Sequence, residues 1–324
     1  MTKHSHFLLV LAIVLTMPLF MRSGSLASEV LIYALAAMGC NLLLGYTGLL
    51  SFGHAAFLGG AAYICGYAIK DVGATPEIGL LAGTASGALL GLVMGWFTIR
   101  RQGIYATMIT LALAQMLFFA CLQAPFTGGE DGLQGVPRGK LFGLLDLQSD
   151  LVMYYVTVVI ATAAFLLIVR TIHSPFGQVL KGIKENEARA TSLGYDTNRF
   201  KLLAFVISAA IAGLAGSLKT LVLGFATLSD VHWSMSGHVV LMTLVGGMGT
   251  LSGPLVGAVV VVALENKIGD LGAWLARTTG VEWFSTLGQS VTIVTGLIFI
   301  VCVLAFRRGI MGELIAWLQG RGKS

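Results

Sequence analysis

The sequence predicts an all-α polytopic membrane protein of about eight transmembrane helices, with a broken or re-entrant segment near 237–264. Two observations carry this. Only 11% of the residues are charged and 56% are apolar, with a mean hydropathy of +0.87. An ordinary soluble domain has about 25% charged residues, so this chain has too little polar surface to cover a water-soluble globule. The apolar residues also come in runs near the roughly 20 residues that cross a bilayer as helix. The alternating segments of an outer-membrane barrel are absent. Residues 1–324 read as a single transmembrane domain.

The apolar runs place spans at 7–22, 26–46, 51–69, 77–99, 103–123, 151–170, 201–223 and 286–306. The first carries Lys3 before an apolar core and small residues after it, as a cleaved leader does. A retained helix is the favoured reading. With the N-terminus inside and the spans alternating, the inside segments hold 13 of the 20 Lys and Arg but only four of the 15 Asp and Glu. Basic residues collect on the cytoplasmic side, so both termini are expected there. The net charge of +5 is therefore a topology signal, and no nucleic-acid partner is expected.

Parity constrains 237–264. The chain is outside after residue 223 and must end inside, because "FRRG" follows the last span. Zero or two crossings satisfy this, and one does not. Two half-helices meeting at 246–254 fit best, and the alternative is a surface loop between two short tilted spans. Irregular backbone at membrane depth survives only where protein or a water-filled cavity surrounds it, and broken helices mark transport sites. "GYTGLLSFG" (45–53) and "GGMGTLSG" (246–253) share the order Gly-x-x-Gly-x-Leu-Ser. Small residues there permit close helix approach. Gly48, Ser51, Gly53 and His54, with Gly246, Gly249 and Ser252, are the candidates for the translocation pathway or for a joint beside it.

No enzyme constellation appears, neither HExxH nor GxSxG. "GLAGSLKT" (213–220) nearly fits a phosphate loop, but Leu218 replaces the second glycine and the run lies inside a span. No cofactor or nucleotide site is expected on this chain. Cys40, Cys65, Cys121 and Cys302 all sit in apolar runs, as packing residues without metal-ligand spacing. Ion-coupled carriers carry acids and histidines within their spans, and here Glu29, His54 and Lys219 are nearly alone. Glu29 and Lys219 lie near outer ends and are expected to snorkel.

Two loops stand out. Residues 172–200 are amphipathic, with a helix expected at 178–193 and ended by Gly194 as a left-handed cap. Such a helix fits a groove on a soluble partner or an anionic lipid surface. Residues 124–150 form the longest outside loop, shaped by glycines, with Glu130 and Asp131 available to a basic partner.

The pattern "SPFGQVLKGIKENEARATSLGYDTNRFKLLAFVISAAIAGLAGSL" (174–218) resembles the permeases of branched-chain amino acid ABC transporters, in particular the M-type member of the pair. "GYTGLLSFGHAAFLG" (45–59), "GIYATMITLALAQ" (103–115) with "TGGEDGLQGVPR" (127–138), and "LVGGMGTLSGPLVGA" (244–258) follow in the family's order. The resemblance covers about residues 28–310. It implies an importer in a bacterial inner membrane. Its other parts are a second related permease, two cytoplasmic ATP-binding subunits and a periplasmic substrate-binding protein. Residues 172–200 then correspond to the ATPase-coupling segment. Glu185, Glu187, Arg189, Ala190 and Gly194 follow the family's "ENExxA…LG" pattern, whereas Thr191 and Ser192 replace a small or acidic pair.

Overall fold

The computed structural model describes residues 24–279 other than 102 and 144, together with 296–297, 300 and 309–313. The first expected span, 7–22, lies outside the described residues. So does 286–306, apart from residues 296, 297 and 300, which are helical.

Ten helices cover 24–279, and they are numbered in chain order. They are α1 (Gly24–Tyr46), α2 (His54–Lys70), α3 (Pro76–Thr98), α4 (Ile104–Gln123), α5 (Asp150–His173), α6 (Pro175–Glu185), α7 (Glu187–Ser192), α8 (Thr197–Leu223), α9 (Trp233–Gly246) and α10 (Gly253–Thr279). Five of these, α1, α3, α4, α5 and α8, are long and apolar enough to cross a membrane.

The centre is α8, which packs along α3, α2 and α1. Helix α1 is buried nearly all round, as its uniformly apolar sequence requires of an interior helix. Gly83, Gly87, Gly91 and Gly95 of α3 let α8 approach; a methyl on Gly87 would lie 2.9 Å from Gly213 Cα. Helix α4 is the opposite case. Its buried residues are Ala106, Thr110, Ala114 and Cys121, one or two turns apart, while Met108, Met116 and Phe119 face outward. Large apolar groups outside and small ones inside fit a protein surrounded by lipid.

One end of the bundle collects residues 99–101, the α6–α7 segment and the 247–252 turn. A methyl on Gly309 would overlap Gly247 and the Leu244 carbonyl, which puts 309 at this basic end. The opposite end carries 124–149, with a short hairpin of β1 (Lys140–Leu141) and β2 (Leu145–Asp146). Arg138 ties this loop down, reaching Asp150 at 2.6 Å and the Val222 carbonyl at 2.7 Å. Glu130 and Asp131 sit in an exposed 3-10 turn.

Two expectations change. The helix expected at 178–193 is two helices bent at Asn186, whose extended backbone (φ −159°) lets its side chain accept from Arg189 N–H at 3.0 Å. The side chain thus supplies an N-cap in mid-segment. Gly194 does end α7 in the left-handed region, with φ +90°. The break near 246–254 is a turn at the basic end rather than a meeting of half-helices at mid-depth. Its Gly249 and Thr250 bond Asn41, five residues from the end of α1.

Candidate coupling and translocation site

Two irregular segments enter the bundle. The first is 47–53. Gly48, at φ +74°, turns the chain out of α1 in a conformation costly for any side chain. Residues 50–53 then run beside α4. Thr107 Oγ1 donates to the Leu50 carbonyl at 3.2 Å, and Phe52 N–H donates to Thr110 Oγ1 at 3.1 Å. Thr110 lies six residues into α4, about 9 Å from its start at 1.5 Å per residue. The expected span at 51–69 therefore becomes helical only at His54, inside the bundle.

The second segment, 224–232, leads into the fourteen-residue α9. It reaches the middle of α2, where a methyl on Gly59 would touch Val231 and Asp230. The first segment meets α9 at Ser236. Its hydroxyl donates to the Phe52 carbonyl at 2.7 Å and accepts from Ala55 N–H at 2.8 Å. Backbone groups lacking helical partners are satisfied by hydroxyls, as a water-poor interior demands.

His54 is fully buried and bridges the Ser51 carbonyl at 3.2 Å and Ser208 Oγ at 3.0 Å. Ser208 in turn donates to the Gly39 carbonyl at 2.6 Å, so α1, α2 and α8 share one polar junction. Ser51 Oγ accepts from Gly53 N–H at 3.1 Å, and a methyl on Gly53 would press on Met94.

The two matching glycine motifs touch. Asn41 holds the second one with both ends of its amide: Oδ1 accepts from Gly249 N–H, and Nδ2 donates to the Thr250 carbonyl, each at 2.8 Å. Gly249 has φ +79°, and a methyl on Gly45 would lie 2.7 Å from its nitrogen. Gly246 packs against Gly253 so closely that a methyl would overlap its carbonyl. The Ser252 carbonyl accepts from Val256 N–H at 3.2 Å as α10 begins.

Helix α6 lies against this junction. Its apolar face, Phe176, Leu180 and Ile183, recurs at helical spacing; Leu180 and Ile183 are buried. Its polar side supplies Lys184, whose ammonium donates to the Gly45 carbonyl at 2.7 Å, and Lys181, 5.9 Å from the centre of the Tyr46 ring. Gly45, Tyr46, Lys181, Lys184, Glu185, Met248 and Gly249 line an open groove of about 450 Å³.

The remaining coupling candidates divide. Glu185 and Arg189 are exposed. Ala190 is buried, and Glu187 turns inward to bond Lys201 Nζ at 2.5 Å and Thr197 Oγ1 at 3.3 Å. Lys201 is itself buried, so this contact joins α7 to α8.

Lys219 does not snorkel. Its ammonium bonds Asp230 at 2.5 Å and Tyr33 at 3.2 Å, with both members of the ion pair buried. An ion pair satisfies the amine where water cannot, and it pins 224–232 to α8. Residues 213–220 lie within α8, with Thr220 Oγ1 bonded to the Ala62 carbonyl at 3.1 Å. Asn41, Lys184, Ser208, Ser236 and Asp230 are structural participants that sequence reading missed. No local motif marks them, since their partners lie far along the chain or beyond a loop.

A family model described as branched-chain amino acid transport system / permease component matches residues 24–303. The chain is 27% identical over 295 residues to the high-affinity branched-chain amino acid transport system permease protein LivM of Escherichia coli, covering 82% of this chain and 68% of that protein. It is 26% identical over 303 residues to LivM of Salmonella typhimurium, covering 84% and 70%. A more distant likeness, 23% over 199 residues, reaches the ribose import permease protein RbsC of Haemophilus influenzae, covering 58% of each chain. No solved structure matches. By the match over most of its length, the chain belongs to the family of permease components of branched-chain amino acid transport systems.

Proposed function

We propose that this chain is the permease subunit of an ATP-binding cassette importer that moves branched-chain amino acids from periplasm to cytoplasm by alternating access. The family match supports the class. Partial likeness to permeases named for ribose and for autoinducer 2 widens the substrate to related small polar solutes, with urea, amides and aromatic acids as the alternatives. The full set of about eight helices crosses a bacterial inner membrane, with the basic end and both termini cytoplasmic.

ATP is hydrolysed by two partner subunits docked at the basic end, and a second related permease completes the pathway. A periplasmic binding protein docks at the 124–150 end, where Glu130 and Asp131 are exposed. The observation that carries the reading is the α6–α7 segment. It presents Glu185 and Arg189 outward while Lys184 and Glu187 fasten it to α1 and α8. Closure of the ATPases pushes this segment, and α5 and α8 move as rigid bodies. Gly48, Ser51, Gly53, His54, Gly246, Gly249 and Ser252 form the joint beside the pathway.

The test is co-expression with the ATP-binding subunits. A stable complex is expected, and charge reversal at Glu185 or Arg189 lowers ligand-stimulated ATP hydrolysis while membrane insertion persists. Normal stimulated hydrolysis in those variants contradicts the coupling role. Failure to form any complex contradicts the importer.

A further inference from the structure

Between their ends, α3, α4 and α5 carry no charged side chain. Their outer faces present groups such as Leu89, Met116 and Val159. Helices α9 and α10 depart from this. His238 Nδ1 and Glu265 Oε1 lie 3.3 Å apart, and their side chains remain 40% and 25% exposed.

The pair has a definite depth. Helices α9 and α10 run antiparallel from the 247–252 turn, so close that a methyl on Gly257 would overlap the Met242 carbonyl. His238 precedes Gly246 by eight residues and Glu265 follows Gly253 by twelve. At 1.5 Å per residue they lie about 12 and 18 Å from the turn. The hydrocarbon core is about 30 Å thick, so the pair sits near its middle.

A charged group facing lipid at that depth is costly, so such groups face protein or water. A pair serving only to hold helices together can be buried, as Lys219 and Asp230 are, with 8% and 2% of their side chains exposed. His238 and Glu265 are not. Among the described residues the face beside them is open, since a methyl on Gly237 would meet none of them within 4 Å.

We infer that His238 and Glu265 line the solute pathway at mid-depth, and that the Glu265 carboxylate receives the ammonium group of a zwitterionic amino acid. The inference rests on the importer reading, and it identifies the polar wall that the glycine joints do not provide.

The test uses the complete importer in proteoliposomes, with the native cysteines replaced by alanine. H238C and E265C are compared with L89C and M116C using a cationic, membrane-impermeant methanethiosulfonate. A thiol reacts as its thiolate, which forms in water and is suppressed in apolar surroundings, so positions 238 and 265 should label at least about tenfold faster. Loaded binding protein should slow that labelling. The native-cysteine importer carrying E265Q should lose most uptake of zwitterionic solute while assembling with its ATP-binding subunits as wild type does. Labelling no faster than at 89 and 116, in a cysteine-free background that itself still transports, overturns the pathway assignment. Unchanged uptake by E265Q overturns the ammonium assignment. Absence of ATP-driven uptake by the wild-type complex strikes the importer reading instead.

Discussion

The Lys184 ammonium donates to the Gly45 carbonyl at 2.7 Å, where α1 gives way to the Gly48 turn. A side chain of α6 thus holds the backbone of the buried helix α1 at the point where it unwinds. On the importer reading, a push on α6 reaches the end of α1 first, together with the 249–250 turn clamped to Asn41. This adds a route through α1 to the route through α5 and α8.

Lys184→Met tests that route. Hydrogen bonds to charged groups contribute about 1.5–3 kcal/mol, and here the lost contact is partly exposed, so the lower end applies. Membrane insertion should be normal and ligand-stimulated ATP hydrolysis should fall, with Lys184→Arg retaining part of it. The two variants are compared in one reconstituted hydrolysis assay.

Asn41→Leu should destabilise the protein as a whole. Both amide contacts to the second glycine turn vanish, leaving Gly249 N–H and the Thr250 carbonyl without that partner. Each buried group left unsatisfied costs about 1–3 kcal/mol. Thermal unfolding in detergent should shift downward by several degrees. A melting temperature equal to wild type would show that water replaces the amide there.

Lys219 and Asp230 should behave as a coupled pair. Removing one partner of a buried ion pair costs about 3–5 kcal/mol because the other is left uncompensated. Lys219→Met and Asp230→Asn should each destabilise strongly. Lys219→Met with Asp230→Leu should recover part of the loss, and a double-mutant cycle by thermal unfolding reads the coupling directly.

Ser236→Ala strips the partner from both the Phe52 carbonyl and Ala55 N–H. Two orphaned groups at about 1–3 kcal/mol each predict a loss of stability and a looser 47–53 segment. Limited proteolysis should reveal new cleavage there. Cleavage unchanged from wild type would mean the threonines of α4 hold the segment alone.

The long helices were legible because a bilayer demands near-continuous apolar runs. Thus α3 begins at Pro76 and α1 ends at Tyr46, each within a residue of expectation. Helix α8 starts four residues early, since Asp196 caps it by accepting from Arg199 N–H at 3.2 Å. The bend at Asn186 escaped because an asparagine in a polar stretch reads equally as helix surface or as cap.

The matching glycine motifs were legible as a resemblance, but their contact was not. It depends on Asn41 bonding residues more than 200 positions away. Lys219 read as an exposed end because nothing local shows that Asp230 folds back over it. His238 and Glu265 went unnoticed because His238 is a lone ionisable residue in its run and Glu265 closes another, beside Asn266 and Lys267, and only antiparallel packing of α9 and α10 pairs them.

The central claim is that solute passes through this chain under power supplied by ATP-binding partners. Its most direct test is uptake of radiolabelled leucine into proteoliposomes holding the paired permeases and ATPases, with the binding protein outside and ATP within. The account predicts uptake that requires ATP and the binding protein and that falls with E185K. Uptake that persists without ATP and follows an imposed proton or sodium gradient would contradict it.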